Sequence, residues 1–211
     1  MVATSSSPFR QTEHLEPWGT LLALVYSRAG LALPALKKVT DEEIPQPYRG
    51  LLVHSQDLTP TLEAFYRETL GLTVLSRWRE GGRYVREVVL KLSGRGKRVG
   101  YGVIRVELGH LPLPSAGRVL EEQMPFGSIL QADAIPHLSW PQAFFRAEPD
   151  AHMVRVLGTS AGRPLYGRRN VLLDGGRRLL AEVIEVLAPV EPAREAPRPR
   201  TPASRRGNGA L

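Results

Sequence analysis

Charged side chains interrupt two apolar, strand-like segments of this sequence, and their types suggest what chemistry they could do. In RYVREVVLKL (83–92), the period-two alternation of a strand places Arg86 among apolar neighbours on one face. In LLAEVIEVLAP (179–189), Glu182 and Glu185 are three residues apart and therefore face opposite ways. An arginine and a glutamate in one small sheet could bind a carboxylate at one end of a cavity and act on a hydroxyl or ether at the other.

A purely structural explanation of these charges stays open on spacing alone. Arg86 could lie at a sheet edge, where its stem covers apolar surface, and either glutamate could belong to a structural ion pair. In LYGRRNVLL (165–173), Arg168 and Arg169 are adjacent, so at least one of them faces inward. Because an unpaired buried charge is very unfavourable, each inward charge needs either a partner or a cavity.

The elements that would position these residues indicate an α+β fold with a single antiparallel sheet and flanking helices. Hairpin loops at 93–98 and 173–178 join neighbouring strands, which favours an antiparallel sheet over a series of parallel units. Residues 51–71 are expected to hold a short strand and then a helix capped by Thr59 and ended by Gly71. Other predicted helices cover 20–33 and 114–131, residues 131–152 are irregular, and the predicted strands are 72–79, 84–92, 99–108, 165–173 and 178–188.

Composition excludes several classes of site. The 211 residues include no cysteine, so disulfides, thiolate catalysis and cysteine-bound zinc are ruled out. The five histidines lack the spacing of metal ligands, and neither a phosphate-binding glycine loop nor a G-x-S-x-G motif is present. The net charge is +7, but residues 191–211 carry five Arg against two Glu, so the remainder is only modestly basic. Nucleic-acid binding is therefore not expected of the folded part.

Three regions are expected along the chain. Residues 1–15 and 190–211 are rich in Ser, Pro, Arg and Gly without apolar periodicity and are predicted to be disordered tails, whereas 16–189 form one domain. The longest apolar run, LLALVY (21–26), is too short to insert into a membrane, and the N-terminus lacks the pattern of a secretory signal. We expect a cytoplasmic protein, and a monomer would suit a single domain of this size.

Five segments in order give the sequence a family resemblance. They are LLVHSQDLTPTLEAFY (51–66), RYVREVVLKL (83–92), MPFGSIL (124–130), LYGRRNVLL (165–173) and LLAEVIEVLAP (179–189). Together they resemble the chorismate lyase (chorismate–pyruvate lyase) family, in particular its divergent bacterial branch, over about two-thirds of the chain. The resemblance implies an antiparallel sheet with packed helices and a buried small-ligand cavity that helical flaps close.

The resemblance also implies roles for individual residues. Arg86 would bind the ring carboxylate, and the backbone N–H of Phe126 would give that carboxylate a second donor. Leu58 would cover the ring, and Glu185 would bond the ring hydroxyl; counting forward along the strand would assign Glu182 instead. Arg86 and Glu185 would then be the catalytic residues of an enzyme that removes pyruvate from chorismate to give 4-hydroxybenzoate, with no metal or organic cofactor.

Two other functions remain as alternatives. A non-catalytic protein of the same fold could bind a small aromatic acid as a sensor or carrier, which would require Arg86 but tolerate loss of the glutamate. A nucleic-acid-associated protein acting through its basic tail is less favoured, because five arginines interspersed with proline and glutamate are typical of a solvated tail.

Overall fold

The protein is built around a seven-stranded antiparallel sheet, seen in a computed structural model that describes residues 19–190. The strands follow the spatial order β1-β5-β6-β7-β4-β3-β2. Their bounds are β1 Leu36–Val39, β2 Leu70–Glu80, β3 Arg83–Leu92, β4 Arg98–Glu107, β5 His137–Ala147, β6 Leu165–Asp174 and β7 Leu179–Leu187. The predicted α+β class with a single antiparallel sheet is confirmed.

Helices cover both faces of this sheet. The first face packs against α1 and α6, and the second, which we call the cavity face, lies beneath α2 to α5. A single 3-10 turn, Leu108–His110, links β4 to α4. The helices are α1 Thr20–Arg28, α2 Tyr48–Leu52, α3 Leu58–Tyr66, α4 Leu113–Glu121, α5 Phe126–Ala132 and α6 Ala151–Leu157.

Strand alternation divides the core into these two layers. In β3, Val85 and Val89 belong to the core that includes α1 and α6, whereas Tyr84 packs with residues of α4 and α5. Arg86 follows the parity of Tyr84 and so projects toward the cavity face. Strand β3 therefore delivers a buried charge to each layer, Arg86 to the cavity face and Glu87 to the other face.

The sheet contains two strands that the sequence did not indicate. Strand β1 has only four residues, of which Lys37 and Lys38 are exposed, so it carries little apolar pattern. Strand β5 contains Pro141 and a register shift between Pro141 and Ala143, which interrupts its alternation. The segment 131–152, predicted to be irregular, in fact holds most of α5's last turn, β5 and the start of α6.

The helices on the cavity face also differ from their predicted bounds. The expected short strand after residue 51 is instead part of α2, and the helix expected over 114–131 is two helices. Glu122, in the left-handed conformation at φ 61°, ends α4 and allows the turn into α5. The N-cap of α3 is Asp57 rather than Thr59, and the helix ends at left-handed Arg67, before Gly71.

The predicted tails lie outside the described residues, except for residue 190, as do residues 16–18 of the predicted domain. Within 19–190, no helix combines the length and apolar character needed to cross a membrane.

Two glycines of the sheet should respond in opposite ways to alanine. A Cβ at Gly167 would overlap the backbone oxygen of Glu185 and the ring of Phe145, whereas a Cβ at Gly102 would make ordinary contacts at 3.5 Å. We expect Gly167→Ala to lower the free energy of unfolding by about 1–3 kcal/mol through overpacking. We expect Gly102→Ala to raise it by about 0.5–1 kcal/mol, because glycine is disfavoured within a strand. Urea denaturation of both variants would test this, and equal effects would contradict the packing described.

Candidate functional site

A cavity lies between the sheet and the first turns of α3 and α5. The space that the centre of a water molecule can occupy inside it is about 70 Å³. All four site residues predicted from the sequence line it: Leu58, Arg86, Phe126 and Glu185. The lining also includes residues of the sheet and of the two helix starts: Asp57, Thr59, Val88, Gly102, Ile104, Gly127, Asn170, Leu172 and Val183.

Arg86 is a buried cation that forms no ion pair within residues 19–190, and the carboxylate of Glu122 stabilises its charge only from beyond ion-pair distance. Its side chain is 1% exposed, and no ion pair to it is present within residues 19–190. One terminal nitrogen donates to the backbone oxygen of Met124 at 3.1 Å, and the other approaches that of Val119 at 3.4 Å. Its Nε is buried and has no hydrogen-bond partner among the described residues. Burial lowers the pKa of this guanidinium below its ordinary value.

Arg168, by contrast, has a complete set of partners. It is fully buried on the cavity face, and its Nε donates to Glu185 Oε2 at 2.5 Å. Its terminal nitrogens donate to the backbone oxygens of Leu52, His54 and Gln56 at 3.0–3.1 Å. Arg168 therefore fastens the connection between α2 and α3 to the sheet. The sequence signal was the adjacent pair of arginines, of which one had to face inward, but that signal did not reveal which partners it has.

The two candidate glutamates lie on opposite faces of the sheet. Glu185 lines the cavity, while Glu182 lies on the other face and forms ion pairs with Arg105 and with Arg169, the latter at 2.7 Å. The assignment to Glu185 therefore places a carboxylate at the cavity, and the alternative assignment to Glu182 does not.

The walls of the cavity are mainly apolar. Leu58 at the start of α3 and Phe126 at the start of α5 are both buried and approach from the helical side. Ile104 and Val183 line the side of the cavity that the sheet forms. Gly127 lies where the two helices meet, and a Cβ there would lie 3.4 Å from Cβ of Asp57.

An ion pair lies beside the cavity and shares Asp57 with its lining. Asp57, the N-cap of α3, accepts a hydrogen bond from His137 Nε2 at 2.8 Å, and His137 Nδ1 contacts the backbone oxygen of Ile135 at 2.8 Å. Because both ring nitrogens face acceptors, the geometry favours the doubly protonated imidazolium. The hydrogen bond to Asp57 accordingly raises the pKa of His137 above 6.5, against the opposing effect of burial.

This pair should make stability depend on pH. A histidine whose pKa is raised on folding stabilises fully below its unfolded pKa, and that contribution is lost as the pH rises through the folded pKa. We expect His137→Gln to lower the free energy of unfolding by about 1 kcal/mol near pH 5.5 and by much less near pH 9. Urea denaturation of both proteins across this range would measure the difference. A difference that grows with pH would contradict a charged His137.

Glu87, a buried carboxylate on the opposite face of the sheet, is an example of a charge with a structural role. Glu87 accepts hydrogen bonds from Ser76 at 2.8 Å, Tyr101 at 2.9 Å and His152 at 2.8 Å. The last of these bonds fastens α6 to the sheet. Glu87 accepts three hydrogen bonds and does not line the cavity, so these bonds explain why a carboxylate is buried there. The contacts of Arg86 do not explain its burial in the same way.

Metal binding finds no support in the described part of the chain. Among residues 19–190, no group of three or more His, Cys, Asp or Glu side chains could hold a metal ion.

Comparison with known proteins gives a likeness of fold. No family model matches, and no curated protein matches. The effector domain of PhnF from Mycobacterium smegmatis is 15% identical, with a TM-score of 0.49, over 65% of this chain and 91% of that one. Another structure of PhnF is 13% identical, with a TM-score of 0.48, over 80% and 93%. A ligand-binding domain from Bordetella bronchiseptica, assigned to a GntR-family regulator, is 12% identical, with a TM-score of 0.44, over 56% and 84%.

These comparisons correct the prediction of a chorismate-cleaving enzyme, which is wrong. Similar structures include transcriptional regulators of the GntR family, which are not enzymes, and chorismate lyase itself is not shown. In the structure, Glu185 Oε2 is bound to the buried guanidinium of Arg168. The structural neighbours are ligand-binding domains that share the fold of chorismate lyase.

Proposed function

We propose that the protein binds a small aromatic carboxylic acid in this cavity, as a sensor or carrier, and does not transform it. The observation that carries the proposal is Arg86, a fully buried guanidinium that lines the cavity without a carboxylate contact within residues 19–190. Isolated buried charges are very unfavourable, so a bound anion would supply the missing partner. A planar carboxylate fits the fork of an arginine and can accept two parallel hydrogen bonds.

The remaining donors of the site suit the same group. Arg86 has five N–H groups, of which two are directed at backbone oxygens, so Nε–H and further N–H groups are left for a ligand. Phe126 begins α5, and the first N–H groups of a helix have no partner within that helix. Its N–H is therefore the second donor that we propose for the carboxylate.

The apolar walls favour a ring rather than a chain. Leu58 and Phe126 on the helical side and Ile104 and Val183 on the sheet side offer two apolar surfaces with little polar area between them. A flat ring gains from both surfaces and loses little conformational entropy on binding, because it has few rotatable bonds. In this proposal Leu58 covers the ring, and Glu185 lines the cavity while remaining paired with Arg168.

Calorimetric titration with benzoate and with benzamide tests the proposal. The two molecules have almost the same shape, but only benzoate is an anion at neutral pH. We expect at least one hydroxylated or plain benzoate to bind saturably, and the matching amide to bind at least about 30-fold more weakly, as for loss of a buried charge pair. Equal binding of the acid and its amide, or binding of neither, would refute the proposal.

A further inference from the structure

Positive side chains line a recess that lies between the start of β4, the end of α6 and the segment after β7. It consists of two pockets that share Arg98, in which the centre of a water molecule can occupy about 680 and about 270 Å³. Lys97 and Arg163 line the first pocket, and Lys91 and Arg155 line the second. No Asp or Glu lines either pocket, and neither shares a residue with the lining of the cavity at Arg86. We call these two pockets the basic recess.

The five cations of the basic recess form no ion pair within residues 19–190. Arg98 donates to two backbone oxygens of α6, at 2.7 and 3.1 Å, and Arg155 contacts the ring of His152 at 3.1 Å. The other three make no hydrogen bond within the described residues, and among them Lys97 has a contact with the ring of Tyr66 at 5.9 Å. Structural contacts therefore account for the positions of two of these cations and leave three charges available to a partner.

The fold gathers at this recess a charge that equals the whole excess of the described domain. Residues 19–190 contain 22 Lys and Arg against 17 Asp and Glu, an excess of five positive charges. Without the five cations of the basic recess, the rest of the domain is neutral in sum. The modest total, from which nucleic-acid binding was not expected of the folded part, does not reveal this grouping. Charges of one sign in a recess focus the electric field and attract anions.

The chain adds further positive charge at the same place. Ala188 and Pro189, which follow β7, line the basic recess. Residues 191–211 are attached directly beyond this point and carry five Arg against two Glu. The recess and the sequence that follows it therefore have charge of the same sign, which suits a partner with many negative charges rather than a single small anion.

We propose that the basic recess binds the phosphate backbone of a nucleic-acid duplex without regard to base sequence. Its cations suit phosphates, whereas no Asn, Gln or aromatic side chain lines either pocket to read base edges or to stack on unpaired bases. A strand of a duplex can enter a recess, which the flat surface of a membrane cannot do. The proposal does not depend on which ligand the cavity at Arg86 binds.

The experiment measures fluorescence anisotropy of two labelled DNA duplexes of unrelated sequence, titrated with the full chain at several salt concentrations. We expect equal affinity for both duplexes and a plot of log K against log salt with a slope of about −3 to −5 or steeper, as for release of one counterion at each phosphate contact. In the double variant Lys97→Ala with Arg163→Ala, the slope should become shallower by about 1.8, and binding near 0.1 M salt should weaken by about 10- to 60-fold. Neither side chain makes a hydrogen bond or an ion pair within residues 19–190, so the fold should be preserved.

The matched control is the double variant Lys38→Ala with Arg79→Ala. Both side chains are exposed and form no ion pair within the described part of the chain, but they lie on the two edge strands, β1 and β2, outside the basic recess. This variant loses the same charge, so we expect its affinity to change by less than about threefold. Equal losses in the two double variants would show only a general attraction of a basic protein for DNA and would overturn the proposal.

Three other outcomes would also overturn it. Absence of binding to either duplex would exclude this partner. Binding that depends on Arg205 and Arg206 but is unchanged in the recess variant would assign the contacts to the C-terminal residues alone. Binding to phosphatidylserine vesicles without binding to a duplex would identify a membrane surface as the partner. None of these results would affect the proposed binding of an aromatic acid at Arg86.

Discussion

Replacing Arg168 with methionine is expected to lower the free energy of unfolding by about 3–5 kcal/mol, the effect of removing one partner from a buried ion pair. The substitution leaves Glu185 without its partner, 2.5 Å away in the native protein, and leaves the backbone oxygens of Leu52, His54 and Gln56 without their donor. Because these oxygens belong to the connection between α2 and α3, the loss should loosen the helical side of the cavity. Chemical denaturation followed by fluorescence would measure the change.

Arg169→Met is the matched control for this prediction. Arg169 is the next residue of β6 but lies on the opposite face, where it shares Glu182 with Arg105 and is 22% exposed. Its removal leaves Glu182 with a cation, so we expect a loss of at most about 1 kcal/mol. Similar losses in the two variants would contradict the assignment of Arg168 as the residue that fastens α2 and α3 to the sheet.

Replacing Arg86 with methionine is expected to separate stability from binding. The guanidinium is buried without a carboxylate partner, so its removal relieves an unfavourable burial while losing one bond of 3.1 Å and one longer contact to backbone oxygens. We expect the free energy of unfolding to stay within about 1 kcal/mol of the wild-type value or to rise. We expect affinity for an aromatic acid to fall at least about 30-fold, since the buried charge that holds the carboxylate is gone.

A structural role for Arg86 would give the opposite pattern. If its main task were to fasten the turn between α4 and α5 through Val119 and Met124, the variant would unfold more easily and acid affinity would follow stability. A large loss of stability in Arg86→Met, with unchanged affinity in the fraction that remains folded, would therefore identify a structural charge. Thermal unfolding and titration of the same sample would distinguish the two outcomes.

Local pattern was enough to predict the part of the fold that hairpins define. Strands β2, β3, β4, β6 and β7 are rich in apolar and β-branched residues, and short turns join β3 to β4 and β6 to β7, so these strands and the antiparallel pairing of the two hairpins could be derived. Strands β1 and β5 could not, because two lysines in the first and Pro141 in the second hide the alternation. They pair with each other across more than a hundred residues of chain, a long-range contact that local pattern does not carry.

The same difference explains which site residues could be predicted. Parity put Glu182 and Glu185 on opposite faces, and the family resemblance assigned Arg86, Glu185, Leu58 and Phe126 to the site. The pairing of Glu185 with Arg168 depends on the register of β6 against β7, which the sequence does not specify. The ion pair that holds Glu185 could therefore not be predicted from the sequence.

Asn170 and Asp57 show a further limit of sequence patterns. Each lies within a segment that carried the resemblance, yet an asparagine in a strand and an aspartate before a helix are ordinary in those places. Both residues line the cavity, and each has a buried side-chain oxygen without a hydrogen-bond partner among the described residues, which only the assembled side chains reveal.

The most direct test is a calorimetric titration of wild-type protein, Arg86→Met and Arg77→Met with 4-hydroxybenzoate. Arg77 faces Arg86 directly in the register of β2 and β3, but its side chain is 61% exposed and pairs with Glu122, so Arg77→Met removes an arginine outside the cavity. The account predicts saturable binding to wild type and Arg77→Met and a loss of at least about 30-fold in Arg86→Met, with that variant still folded. Equal affinity in all three proteins, or no binding to wild type, would contradict a cavity that recognises acids through Arg86.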